Sequence, residues 1–577
     1  MPRRLFSLLF LLGLLPVTGL AQTTVEVTIS GIDEPILSNV KLLLGIQQQK
    51  NHEDLTAGRI QRLHQKAPAE ISKALEPFGY YRPKIEGELT GKDQLWHASY
   101  TIDPGPALPV ASANIRVSGP GTEETAFVEA LGSTPLVNGQ PFHHDDYEHL
   151  KSTLQRIADD LGYLDADFTA HEVRIDLAAY GAHIDLNLAT GVRYQFGETT
   201  ISGDIALDIA MIRKFVDYKA GEPFDSAKLF DLQNALSKSD YFSSVDIKIE
   251  RQRINGRQIP ISVVLAMRNR SRYAMGFGFG TDTGARITLG MERRYLNTLG
   301  HKFATDIKIS QTHKTVSGKY TIPLTNPATD RVVLRADYSV EHLHNIKRVT
   351  QLWEAADEHI KNSWLRRYTL TYQHEDFEIG LDDGVSQLFI PSVAWNYLAD
   401  SNSVYAGRGM RFNVDVRGAR RDQISDTSFV QARTTARYIF QAPGGRLITR
   451  ADVGNTWTQY FSDLPPTIRF FAGGDYSVRG YAYKSIGPTD ASGEVIGGKS
   501  LLVTSVEYEY LFAQNWSAAV FFDAGNAFHE KAEPLHASRG VGIRRKLPIG
   551  WLRIDVAEAL EQGEDPWRLH ITLGPDL

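Results

Sequence analysis

The residues of this chain best equipped for chemistry lie in the stretch Arg469-Phe470-Phe471-Ala472-Gly473-Gly474-Asp475-Tyr476-Ser477-Val478-Arg479-Gly480-Tyr481, where Arg479 stands among glycines and aromatics. A guanidinium is a forked donor, and a carboxylate gives it a directional, charge-assisted partner. Further on, Trp516, Ala518, Val520 and Phe522 alternate along one face of a strand, which turns Phe521, Asp523 and Gly525 to the other. The chemistry on offer is therefore electrostatic locking.

Two other patterns suggest chemistry but lack its setting. Gly493-Glu494-Val495-Ile496-Gly497-Gly498-Lys499-Ser500 fits a phosphate-binding loop, yet such a loop opens a helix. Here the alternating strand Leu501 to Tyr510 follows, so no nucleotide is expected. In His143-His144-Asp145-Asp146-Tyr147-Glu148-His149, one helical turn separates His144 from Glu148 and Asp145 from His149, a spacing that suits metal ligands. The same residues make a polar helix start, where aspartates favour the dipole, and that is the expectation adopted. No Ser, His, Asp set has a nucleophile-elbow context. Neither catalysis, nor a metal, nor a cofactor is expected.

The elements that position Arg479 and Asp523 belong to an exported chain. Arg3 and Arg4 precede an apolar run from Leu5 to Leu15, and Gly19-Leu20-Ala21 offers small residues for cleavage, so residues 1–21 read as a signal peptide and Gln22 as the mature start. No later stretch supplies the roughly 18 consecutive apolar residues of a membrane helix. Membrane residence must then be as a barrel. The 577 residues exceed one ordinary domain. Cysteine is absent, which excludes disulfides and thiolate metal sites. With 68 acidic and 62 basic residues the net charge is -6, against the basic excess of a general nucleic-acid binder.

The first half repeats with a period of roughly 80 residues. Leu75-Glu76-Pro77-Phe78-Gly79-Tyr80-Tyr81 is echoed by Asp160-Leu161-Gly162-Tyr163-Leu164 and by Ser239-Asp240-Tyr241-Phe242, and Gly139-Gln140-Pro141-Phe142 matches Gly221-Glu222-Pro223-Phe224. Each copy reads strand, two helices, strand, strand. Leu150, Leu154 and Ile157, like Leu229, Leu232 and Leu236, form apolar helix stripes that must lie on a small sheet. The aromatic after the second helix is expected to close that core. Turn-forming linkers fall at Asp103-Pro104-Gly105-Pro106 and Ala189-Thr190-Gly191.

From about Met267 the texture changes to amphipathic strands. Tyr273, Met275, Phe277 and Phe279 alternate with Ala274, Gly276, Gly278 and Gly280; Val506, Tyr508 and Tyr510 with Ser505, Glu507 and Glu509; Trp567, Leu569, Ile571 and Leu573 with Arg568, His570 and Thr572. Charges confined to one face suit a barrel with a lipid exterior and a polar lumen. At roughly 19 residues per strand and turn, 267–577 accommodates about 16 strands.

The words Gly-Gly-Asp-x-Ser-Val-Arg-Gly-Tyr at 473–481 and Phe-x-Asp-x-Gly at 521–525 resemble the outer-membrane assembly superfamily, which holds BamA, TamA and the two-partner exporters. The βααββ repeats are similar to its POTRA modules. The resemblance implies an α+β and all-β architecture: POTRA modules at 22–107, 108–190 and 191–266, then a 16-stranded transmembrane β-barrel at 267–577. Module number, the phrase Leu464-Pro465-Pro466-Thr467-Ile468-Arg469 and the ending Leu573-Gly574-Pro575-Asp576-Leu577 resemble the TamA branch in particular. It further implies that Arg479, with Gly480 and Tyr481, locks a loop inside the barrel against Asp523, with Glu507 as auxiliary acceptor. Such a pair is worth about 1 kcal/mol in a watery lumen, and removing one partner costs about 3 to 5 kcal/mol in a dry one.

A second implied site is the seam between first and last strands, carried by Gly276, Gly278 and Gly280 on one side and Trp567, Leu569, Ile571 and Leu573 on the other. The glycines are open to two readings: a weak lateral gate, or a closed barrel in which they make room for side chains. The last strand resembles the outer-membrane insertion signal, although it runs on into Gly574-Pro575-Asp576-Leu577 and lacks a terminal aromatic. The implied function is non-enzymatic insertion or translocation of autotransporters and other outer-membrane proteins, with support of phospholipid transport. The implied partners are a TamB-like, inner-membrane-anchored periplasmic protein at the first module, unfolded outer-membrane clients and outer-membrane lipids. The alternative is a two-partner-type exporter that uses the lumen as a conduit.

Overall fold

A computed structural model describes residues 23–574 apart from 53, 93, 344, 400–407, 530–532, 548–549 and 562–565. The leader 1–21, Gln22 and the tail Pro575-Asp576-Leu577 lie outside the described residues. The chain forms two compact units. The first holds residues up to Glu198 with Lys219–Ala227 and Glu250–Pro260; the second holds Thr199–Tyr218, Lys228–Ile249 and everything from Ile261 onward. The third repeat thus contributes to both.

Each repeat builds a three-stranded mixed sheet whose last strand in sequence lies in the middle. In the first, Leu95–Asp103 runs between Thr24–Ser30, which it pairs in parallel, and Lys84–Lys92, which it pairs antiparallel. The helix Ala57–Leu75 is capped by Thr56, whose hydroxyl accepts from the Arg59 N–H. It buries Ile60, Ala67, Ile71, Ala74 and Leu75, a 3–4 spacing that lays one stripe on Ala98, Tyr100 and Ile102 of the central strand. The second repeat repeats this plan. Its sheet is Val110–Ser118, Gly181–Ala189 and Asp167–Asp176, and the helix His144–Leu161 buries Tyr147, Leu150, Leu154 and Ile157 against it. The third sheet is Gln195–Asp204, Gln258–Met267 and Phe242–Ile249.

The repeated words build the joints. The Gly79 carbonyl that follows the first repeat's long helix accepts from the Leu108 N–H at 2.8 Å, and the Leu108 carbonyl accepts from Phe142 at 2.8 Å. One repeat later Gly162 accepts from Tyr194 at 2.8 Å, and Tyr194 from Phe224 at 3.0 Å. Gly-x-Pro-Phe is therefore the hook by which a module hangs on the helix end before it. Of the aromatics expected to close each core, Tyr163 is fully inside and Tyr80 packs at the margin. Its neighbour Tyr81 reaches the next module, with its hydroxyl 2.6 Å from His144 Nε2. Burial pushes the Tyr81 phenol up to about 12, with Glu76 adding to the shift, and pushes His144 down. Tyr241 serves as a joint in the second unit: its hydroxyl donates to the Gly300 carbonyl and its ring lies 4.4 Å from Lys302 Nζ.

Beyond Met267, sixteen antiparallel strands close into a barrel, from Ser271–Gly280 to Trp567–Gly574. No helix among the described residues is long and apolar enough to cross a membrane. Tyr273, Met275 and Phe277 of the first strand project outward, as do Val520 and Phe522. Strand length is uneven. The first and last strands have 10 and 8 residues, while Asp382–Ala399 has 18. The phosphate-loop pattern lies in turns before the strand Ser500–Ala513: Gly493 N–H donates to Asp490, Gly498 pairs with Phe470, and no helix follows.

Candidate functional site at the barrel seam

The connection between the strands Gly445–Trp457 and Ser500–Ala513 folds onto the inner wall. Arg479 at its tip is 3% exposed and faces carboxylates from three strands. Its Nε and Nη2 donate to the two oxygens of Asp523 at 2.7 and 3.0 Å, and its backbone N–H donates to Asp523 Oδ2 at 3.1 Å. Nη1 donates to Glu507 at 2.6 Å and to Asp555 at 3.2 Å. The guanidinium carbon stands 3.4 Å from the centroid of the Phe521 ring. Phe521 and Asp523 thus share one target, the ring covering the plane of the fork while the carboxylate meets its edge.

A second arginine continues this network. Arg544, wholly buried, donates to Glu507 Oε1 from Nη2 at 2.8 Å and to Asp555 from Nη1. Each of these two carboxylates is held between two guanidiniums, so neither lies bare inside the wall. Glu509 is in turn bound by Arg446 at 2.6 Å. Alternation in the sequence sets Asp555 on the charged face of its strand but singles out neither Asp555 nor Arg544 as a partner of this cluster. Such periodicity assigns a face and leaves the partner open.

The remaining tip residues bind elsewhere. The Gly480 N–H donates to His570 Nε2 at 2.9 Å, and the Tyr481 hydroxyl donates to Glu561. Gly480 has a φ of +93° and lies against the backbone of Glu558 and Ala559, where an ideal Cβ would sit 3.2 Å from Ala559 N. A side chain there would meet both a disfavoured backbone and the wall.

The seam groups lie beside this tip. Among the described residues the ladder register between first and last strands consists of Gly280 opposite Thr572. It is extended by Thr281 N–H donating to Ile571 O at 3.3 Å and Ile571 N–H donating to Thr281 Oγ1 at 2.7 Å. On its other side the first strand pairs from Ser271 opposite Arg293 through Gly280 opposite Gly284. Trp567 and Leu569 project outward and lack a ladder partner on the first strand among the described residues. Gly276 is loosely surrounded among the described residues, with Thr288 Cβ 3.8 Å from an added Cβ. Gly278 makes room: Arg286 of the second strand (Gly284–Arg293) lies over it, 2.4 Å from where a Cβ would stand, and donates to the Leu573 carbonyl at 3.1 Å.

Residues 251–575 match the Omp85 superfamily domain, residues 26–104 the POTRA domain TamA domain 1, and residues 194–265 the POTRA model described as surface antigen variable number repeat. The outer membrane protein assembly factor BamA of Nitratidesulfovibrio vulgaris is 23% identical over 364 residues, 60% of this chain. That match covers 46% of the relative, so the chain spans about half its length. BamA from Haemophilus ducreyi lacking POTRA domains 1-3 shares the fold, with a TM-score of 0.66 at 17% identity over 81% of this chain and 99% of that one. CdiB from Acinetobacter baumannii aligns with a TM-score of 0.48 at 12% identity, covering 81% and 90%. With more than half its length in the superfamily domain and a TamA-type module at its amino end, this chain belongs to the Omp85 superfamily, an outer-membrane barrel of a Gram-negative bacterium with POTRA modules in the periplasm.

Proposed function

We propose that this chain is an outer-membrane assembly factor that inserts or translocates autotransporters and other outer-membrane proteins through the seam between its first and last strands. Residues 22–107, 108–190 and 191–266 serve as its periplasmic modules and 267–577 as its membrane part. A TamB-like, inner-membrane-anchored partner docks on the first module, where Thr24–Ser30 and Lys84–Lys92 are the outer strands of the sheet and can accept an extended chain. The same pair supports phospholipid transport to the outer membrane. Arg479, Asp523 and Glu507, with Gly480 and Tyr481, hold the loop. Gly276, Gly278, Gly280, Trp567, Leu569, Ile571 and Leu573 form the gate.

The observation that carries this reading is the seam, whose ladder register among the described residues is a single pair in a barrel of otherwise long ladders. Unmet peptide groups on such an edge suit pairing with an incoming strand. The lumen conduit of an exporter is less favoured, because the loop tip is anchored by buried ion pairs on the inner wall. The test is a tether. The chain has no cysteine, so Phe279→Cys with Leu573→Cys adds one thiol pair on the lipid face, one step beyond the Gly280 and Thr572 pair. Client insertion in proteoliposomes should fall sharply in the oxidised form and recover on reduction. Equal insertion in both forms sinks the gate and favours the exporter.

A further inference from the structure

The short ladder raises the question of what else closes the seam, and the loop tip supplies a route across it. Asp282 lies in the turn after the first strand, and His570 lies on the inner face of the last. Between them sits Asp475, at the near end of the loop tip. The Asp475 N–H donates to Asp282 Oδ2 at 2.6 Å, while Asp475 Oδ1 lies 2.6 Å from His570 Nδ1. On the other edge of the same ring, Nε2 accepts from the Gly480 N–H at 2.9 Å.

The tautomer follows from these partners. A backbone N–H can only donate, so Nε2 must present its lone pair, and the neutral ring then carries its proton on Nδ1, donated to Asp475. His570 is 1% exposed, and both of its nitrogens are used by the loop, one by a side chain and one by backbone. The ring is gripped by residues 475 and 480, which bracket the turn leading to Arg479. Asp282 completes the bridge: its Oδ1 accepts no hydrogen bond among the described residues and faces Arg568 Nη2 of the last strand at 3.6 Å.

We propose that His570, Asp475 and Asp282 form a clasp in which the loop tip holds the first and last strands together, with His570 as its positioning residue. The functional consequence rests on the gate reading above; the clasp itself does not. Closure of the seam and seating of the loop then become one event, because the segment that Arg479 fixes to Asp523 is the segment that grips His570. Release of the loop opens the edge to a client strand, and a free edge no longer holds the loop.

The experiment follows the rate of disulfide formation in the Phe279→Cys, Leu573→Cys pair in full-length protein in bilayers, with heat-modifiable gel migration reporting that the barrel is folded. His570→Leu removes both ring bonds. It should slow cross-linking by roughly thirtyfold or more, the size expected from two lost hydrogen bonds, one of them to a carboxylate. His570→Gln retains a donor and an acceptor and should restore much of the rate, which a space-filling role would not. Asp282→Ala removes the other anchor from a turn outside the strands; it should slow cross-linking too, and it decides the matter if His570→Leu fails to fold.

Unchanged rates in His570→Leu and Asp282→Ala overturn the clasp, as does a His570→Gln variant as slow as His570→Leu. The gate reading fails separately. If the variants loosen the seam while the oxidised tether leaves client insertion intact, the clasp stands and the gate falls. If the tether blocks insertion and the variants cross-link normally, the gate stands and the clasp falls.

Discussion

Arg479 shows how burial sets the value of one ion pair. In an open aqueous lumen its contact with Asp523 would be worth about 1 kcal/mol. Arg479 and Asp523 are instead 3% and 0% exposed, in a cluster where Glu507 and Asp555 share Arg544. Removing the guanidinium leaves these carboxylates with too little positive charge. Arg479→Ala should therefore cost about 3 to 5 kcal/mol and release the loop, seen as protease cleavage within 470–490 of a barrel that still migrates as folded. Arg479→Lys keeps the charge but loses the fork that meets both Asp523 oxygens, and should give intermediate cleavage. At Gly278 the expected effect is steric. Gly278→Val would occupy the path of Arg286 and break its bond to the Leu573 carbonyl, so the disulfide pair at 279 and 573 should form more slowly.

At the scale of elements, the hooks between modules explain why the repeated words are where they are, and they carry a pH dependence. Burial holds His144 below its ordinary value, with Glu76 and Glu148 pulling the other way. His64, which meets the Tyr100 hydroxyl at 2.9 Å, is likewise lowered by burial. Unfolded histidine takes up its proton at about 6.5, and each of these folded rings does so only at lower pH. Their contribution to stability is complete above the unfolded value and is lost as pH falls through the folded one. Hydrogen-exchange protection factors, each rate taken relative to the unstructured amide at the same pH, should fall in the helices Ala57–Leu75 and His144–Leu161 of the full chain on going from about pH 7.5 to about pH 5. His144→Gln should flatten that dependence in the second helix and leave it in the first.

Across the whole molecule, the second unit ties part of the third repeat to the start of the barrel. Asp240 accepts from Arg268 at 2.6 Å and from Arg294 at 2.8 Å, and Tyr241 beside it donates to Gly300. Asp240 also has a φ of +65°, a conformation that asparagine tolerates well. Asp240→Asn therefore removes the charge while sparing the turn. It should increase proteolysis around 267–270 without altering heat-modifiable migration of the barrel; an unchanged digest would show that the two arginines are not what holds this segment.

The sequence by itself determined the classes of element and their faces. Alternation with period 2 placed Asp523, Glu507 and His570 on the inner wall, spacings of 3 and 4 placed the helix stripes, and the repeated glycine and aromatic words marked the modules. The resemblance carried by 473–481 and 521–525 added the pairing of Arg479 with Asp523. Only the tertiary structure decided which inward residues meet. Arg479 and Asp555, Asp282 and Asp475, and Arg286 and Leu573 stand 76, 193 and 287 positions apart. Local periodicity is blind to such pairs, because they depend on the stagger with which sixteen strands close and on the depth to which the loop descends. For the same reason glycines that could have meant weakness or room turned out to differ: Gly278 makes way for a neighbouring arginine, while Gly276 is loosely surrounded among the described residues. A missing side chain acquires meaning only from what fills or leaves its place.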